Sequence, residues 1–141
     1  MNAVKVYMGI IYEDDKKIAL SYQSEFLSGE VISSDNFVIK KQGLENLIAN
    51  IIKRILEQSD KNNMVYIGIY TDYWDAIRYI NRLIDGRNYD NVTQLRYQPR
   101  GRLFKVLKKY KVKFILSTTP KSQVYEVVKQ SARTSIKKSD T

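Results

Sequence analysis

The side chains able to do chemistry in this sequence are carboxylates, ammonium and guanidinium groups, phenols and hydroxyls, because the chain contains neither His nor Cys. That composition excludes zinc fingers, Cys nucleophiles, a disulfide framework and any imidazole base. Two groupings stand out. In the first, the apolar run Met64-Val65-Tyr66-Ile67-Gly68-Ile69-Tyr70 ends in Thr71-Asp72, with Tyr73, Trp74 and Asp75 directly behind. In the second, Arg96, Arg100, Arg102, Lys105, Lys108, Lys109, Lys111 and Lys113 arrive within 18 residues. Carboxylates at a strand end can hold divalent cations or cap a following helix. A dense cationic run suits a polyanion, through phosphate contacts that salt weakens. Tyr97, Phe104 and Tyr110 lie within or beside the basic run, as Tyr70, Tyr73 and Trp74 lie beside Asp72. Such rings either stack on bases or pack as core and rim, and Tyr97, in an irregular basic stretch, is the strongest stacking candidate.

The charge is unevenly spread. The chain carries a formal net charge of +9. Residues 1–90 hold 11 basic and 13 acidic side chains, whereas residues 91–141 hold 13 basic and 2 acidic ones. The surplus therefore belongs to the last third, and a polyanion is the natural partner, whether nucleic acid or an anionic membrane surface, the bland reading being a solvated basic face. No apolar run approaches the roughly 20 residues of a spanning helix. The first residues enter a strand pattern directly, without a charged leader and hydrophobic signal core. The expectation is an intracellular protein, cytoplasmic or nucleoid-associated, with no signal peptide.

The elements that must position these groups follow from hydrophobic spacing. Val4 to Tyr12, about Ile18 to Phe26, and Glu30 to about Lys40 are strand-like, with a polar turn at Glu13-Asp14-Asp15-Lys16-Lys17 and Ser28-Gly29 between the second and third. They predict an antiparallel meander with an irregularity at Ser33-Ser34-Asp35. Leu44, Leu47, Ile48, Ile51, Ile52, Ile55 and Leu56 recur at helical spacing and predict a helix over about 43–58. Met64 to Tyr70 reads as a strand buried on both faces. Ala76, Ile77, Ile80, Leu83 and Ile84 predict a helix over about 73–85, with Gly86 as its stop. A short basic helix is expected around 103–110, a strand over 111–117, and a last helix starting near Pro120 with Val124, Val127, Val128, Ser131 and Ala132 on one side. One domain is expected over 1–136, followed by a polar tail over 137–141. With 43% hydrophobic residues the chain has enough material for one core.

Antiparallel strands followed by helix-separated strands predict an α/β domain, with helices on both faces of a mixed sheet. In such sheets the site lies at the carboxyl ends of the parallel strands, near the point where strand order reverses. Thr71-Asp72 stands there, as does the segment after Ser117.

At these residues the sequence resembles type 1 ribonuclease H, within the ribonuclease H-like superfamily. The run Val65 to Asp72 followed by a helix resembles the family's fourth strand, whose terminal Thr-Asp supplies a metal-binding carboxylate. Leu44-Glu45 resembles the Met-Glu that supplies a second. Lys111 to Leu116 and the helix from Lys121 resemble the fifth strand and last helix, with Glu126 near the fourth acidic position. The resemblance implies a mixed five-stranded sheet and two metal ions, magnesium or manganese. The first carboxylate is missing: the family's first-strand Asp falls on Gly9, and a shift of one residue gives Met8 or Ile10. Glu13 lies about 13 Å further on at roughly 3.3 Å per residue, too far to substitute. The family's His-bearing loop corresponds to Ser117-Thr118-Thr119-Pro120, which has no His.

Three functions follow. The leading expectation is a catalytically degenerate ribonuclease H-like domain that binds nucleic acid or a nucleoprotein partner through Arg96, Tyr97, Arg100, Arg102, Lys105, Lys108, Lys109, Lys111 and Lys113, with no cofactor. The second is an active nuclease, of ribonuclease H or resolvase type, using remnant carboxylates Glu45, Asp72 and Glu126, with Asp75 as an added ligand. In that case Glu45 and Asp72 hold magnesium or manganese. The third is a structural connector docking on a partner protein. Each carboxylate also has a purely structural role open to it: helix capping for Asp72, dipole compensation for Glu45, a surface ion pair for Glu126.

Overall fold

A computed structural model of the chain describes residues 3–59, 66–88, 113–117 and 122–140. Strands β1 (Ala3–Asp14), β2 (Lys17–Phe26) and β3 (Val31–Ile39) come first. A 3-10 turn (Lys41–Gly43) leads into α1 (Leu44–Ser59), followed by β4 (Tyr66–Tyr70), α2 (Trp74–Asn88), β5 (Lys113–Ser117) and α3 (Gln123–Ser139). The strands lie in one sheet in the order β3-β2-β1-β4-β5. β1 pairs antiparallel with β2 and parallel with β4, so the sheet changes character across β1. The expected short helix at 103–110 lies outside the described residues.

The turns are built from local chemistry. The Asp14 carboxylate accepts the N–H groups of Lys16 and Lys17 at 2.7 and 3.0 Å, which closes the first hairpin. Gly29, at φ 92°, turns the chain between β2 and β3. The irregularity expected at Ser33-Ser34-Asp35 falls slightly earlier: Ser24 pairs with Ser33, while Glu25 pairs with Val31.

Alternation along β1 sorts its side chains onto two faces. Val4, Val6, Met8 and Ile10 pack with Ile48, Ile52, Ile55 and Leu56 of α1 and with Ala76, Tyr79 and Ile80 of α2. Burying a Leu or Ile side chain is worth about 1.5–3 kcal/mol, so this layer is the main core. The opposite face is thinner. There Tyr7 packs with Tyr125 and Val128, and Ala19 with Ala132 and Ile136, all from α3.

Three expected boundaries differ. Gly86 does not stop α2, which runs to Asn88. A glycine ends a helix by adopting positive φ, and a lone helical glycine costs only about 1 kcal/mol against alanine. The last helix is started not at Pro120 but by Ser122, whose Oγ accepts the Tyr125 N–H at 3.1 Å. Lys137, Lys138 and Ser139, expected in a tail, form the last turn of α3, and Asp140 just beyond pairs with Lys17.

Candidate functional site

The sheet's α3 face holds the place where the resemblance puts a first-strand carboxylate. Gly9 lies there, between Tyr7 and Ile11, and α3 crosses it with its backbone. A Cβ built on Gly9 would stand 2.5 Å from Lys129 Cα, 2.7 Å from Lys129 N and 3.0 Å from the Val128 carbonyl carbon. Real Cβ atoms do not approach backbone so closely. Glycine is what lets this helix sit on the strand.

β4 delivers Asp72 to the same place. Tyr7 pairs with Tyr70 in the parallel ladder, and their rings stack with centroids 5.1 Å apart. Continuing that register two residues brings Asp72 level with Gly9. The Asp72 carboxylate binds Lys129 Nζ at 2.5 Å. Its backbone N–H donates to the Tyr125 hydroxyl at 3.2 Å. Burial tends to raise the Asp72 pKa, but hydrogen bonds from Lys129 and Tyr125, with the Lys129 charge, outweigh it and hold the carboxyl below its ordinary value. Burial, reinforced by the hydrogen bond to Asp72, pushes the Tyr125 phenol far up.

One residue thus fills two roles. The backbone of Lys129 takes the space a Gly9 side chain would need, and its ammonium pairs with the Asp72 carboxylate. Lys129 is mostly buried, with 19% of its side chain exposed against 42% for Asp72. Its Nζ also lies 5.9 Å from the centre of the Tyr125 ring. Residue types alone pointed to neither Tyr125 nor Lys129. Two signals were present: a glycine inside an apolar strand marks close backbone approach, and Tyr125 and Lys129 share a helix face at i, i+4.

The other expected site residues lie elsewhere. Glu45 and Asp75 line a cavity of about 920 Å³ between Asp15 at the first hairpin and the opening turns of α1 and α2. Asp75 binds Arg78 Nη2 at 3.1 Å and Lys41 Nζ at 3.6 Å. It does not join Asp72, because α2 begins only at Trp74 and Asp72 precedes the helix. Glu126 is exposed in the first turn of α3. Among the described residues no three His, Cys, Asp or Glu side chains gather as a metal-holding group. The described residues therefore do not fit a two-metal centre at Asp72. Arg96, Tyr97, Arg100, Arg102, Lys105, Lys108, Lys109 and Lys111 lie outside the described residues, while Lys113 opens β5. Among the described residues no helix is long and apolar enough to cross a membrane.

The fold is that of ribonuclease H. Over all of both chains the structure is similar to a ribonuclease H1 isolated from compost by a metagenomic approach, with a TM-score of 0.64 at 9% identity. It is similar, again over all of both chains, to the N-terminal ribonuclease H domain of a Mycobacterium tuberculosis protein, with a TM-score of 0.60 at 8% identity. A crystal structure of the compost ribonuclease H1 in complex with an RNA/DNA hybrid matches over 98% of this chain and 99% of that one, with a TM-score of 0.62 at 9% identity. No family model and no curated protein sequence matches the chain.

Proposed function

We propose that this chain is a ribonuclease H-like domain that binds nucleic acid, alone or within a nucleoprotein assembly, without cleaving it. The observation that carries the reading is Lys129: its backbone lies on Gly9 and its ammonium holds Asp72. Two-metal hydrolysis needs carboxylates that hold two cations about 3.5–4 Å apart. The Asp72 carboxylate is already paired with a tethered cation, and Gly9 offers no ligand. On this reading the domain needs no magnesium or manganese, and Glu45, Asp72, Asp75 and Glu126 have structural roles.

Binding is assigned to the cationic last third, from Arg96 to Lys113, supported by its net charge of +11 over residues 91–141. Such a run contacts phosphates without reading sequence, and Tyr97 adds a ring for stacking. The relative that binds an RNA/DNA hybrid makes that hybrid the first probe. Anisotropy titrations with labelled hybrid, DNA duplex and single strands, repeated over a salt series, test the reading. With three or more phosphates neutralised, log K should fall against log salt with a slope steeper than about −2.7 on duplex DNA. Replacing Arg100, Arg102 and Lys105 with Ala together should make that slope shallower. Absence of binding to every probe at low salt would refute the proposal and leave the docking module as the better account.

A further inference from the structure

Trp74 is the chain's one tryptophan, and it opens α2 with 63% of its surface exposed. The helix does not use it for packing, since Ala76, Ile77, Tyr79 and Ile80 bury its inner face. An indole is among the largest apolar surfaces a side chain offers, and leaving it in water forgoes that burial. This ring stands instead on the wall of the 920 Å³ cavity between the first hairpin and the opening turns of α1 and α2. That volume lies within the range of small-ligand sites, about 300–1,000 Å³.

The lining indicates which part of a ligand enters. Its charged groups are Asp15, Glu45 and Asp75 against Lys41 and Arg78, a net of −1. Asp75 engages both cations, and Asp15 accepts the Tyr12 hydroxyl at 2.7 Å. A phosphate gains little from such a wall. A neutral, flat, hydrogen-bonding ring gains more: Trp74 offers a stacking face, and the Gln42 and Asn81 amides offer donors and acceptors for a base edge. Paired bases hide their faces inside the duplex. An exposed stacking face beside edge-reading amides therefore selects an unpaired base.

We infer that this cavity takes an unpaired nucleobase of a single-stranded nucleic acid, stacked on Trp74 with its edge toward Gln42 and Asn81 and its phosphates outside. The inference rests on the nucleic-acid reading above but uses different residues, those lining the cavity at the opening turns of α1 and α2 rather than the basic run from Arg96 to Lys113.

Because Trp74 is the only indole beside eleven tyrosines, fluorescence excited at the red edge of absorption, where phenols do not absorb, reports on this cavity alone. Titration with a short oligo-dA single strand should quench it, whereas a blunt DNA duplex should not. Anisotropy of the same labelled strands gives affinity independently. Trp74→Ala should weaken single-strand binding about 5- to 150-fold, the range expected for one stacked base, and leave duplex binding within about twofold. Trp74→Phe should recover most of the loss. Single-strand binding by anisotropy with no quenching and no effect of Trp74→Ala would overturn this inference while sparing the nucleic-acid reading. Failure of every strand to bind at low salt would overturn both.

Discussion

Adding one methyl group at Gly9 should separate α3 from the sheet. The Cβ of Gly9→Ala would stand 2.5 Å from Lys129 Cα, whereas carbon atoms rest at about 3.5–4.0 Å. The obstacle is helix backbone, which cannot rotate away as a side chain could, so α3 must move off by about 1 Å. A gap of 0.5–1 Å forfeits roughly a quarter to a half of each dispersion contact. Here the contacts are those of Tyr125, Val128, Ala132 and Ile136 with Tyr7, Ala19 and Ile11. Overpacking of this kind costs about 1–3 kcal/mol, and reduced freedom of the unfolded chain returns about 0.4–1 kcal/mol. We expect a net loss of about 1–2 kcal/mol, or about 3–7 °C in Tm for a domain of this size. Urea unfolding followed by circular dichroism measures it. Gly43→Ala is the control, because its added Cβ would meet only Ile39 Cδ1, at 4.0 Å. If Gly9→Ala unfolds within 0.5 kcal/mol of wild type, a margin typical of neutral surface changes, α3 does not rest on Gly9 and the reasoning is wrong.

Two further outcomes concern the groups around Asp72. Its folded pKa is depressed, so the Asp72–Lys129 pair contributes stability above the ordinary carboxyl value of 3.8 and loses it as pH falls through the folded value. Lys129→Met should cost about 1 kcal/mol or less near neutrality, because Asp72 is partly exposed, and its deficit should shrink below pH 4 in acid-unfolding curves. A deficit that is flat with pH would contradict the pairing. Tyr125 has a raised pKa, so its contribution is complete below the ordinary phenol value of 10.0 and is lost as pH rises further. Tyr125→Phe should cost about 0.5–1.5 kcal/mol at neutral pH through the lost bond from the Asp72 N–H, with wild type losing that advantage above pH 10 in alkaline unfolding curves.

How far the sequence alone reached depended on the range of each interaction. The α1 stripe from Leu44 to Leu56 and the apolar strand ending at Tyr70 were legible because periodicity is a local property, and both elements form where it places them. The antiparallel meander was legible from its turn residues, notably Asp14 and Gly29. Gly86 misled because a glycine's stop signal depends on the conformation it adopts, which tertiary packing decides. The meaning of Gly9 was only half visible. The family resemblance marks it as a position without a carboxylate, but as a seat for α3 it depends on a helix 120 residues further along. The grip of Lys129 on Asp72 spans 57 residues, and no short-range pattern encodes it. Asp75 was grouped with Asp72 by assuming a continuous helix, whereas α2 starts between them and sends Asp75 toward Lys41 and Arg78.

On the proposal above, Lys129 and Gly9 leave no metal site at Asp72, while the chain still binds nucleic acid. The most direct measurement follows a labelled RNA/DNA hybrid in one low-salt sample with excess magnesium or manganese, reading binding by mobility shift and cleavage on a denaturing gel. The account predicts a shifted, intact hybrid, unchanged by Asp72→Asn. Metal-dependent cleavage that disappears in Asp72→Asn would contradict it.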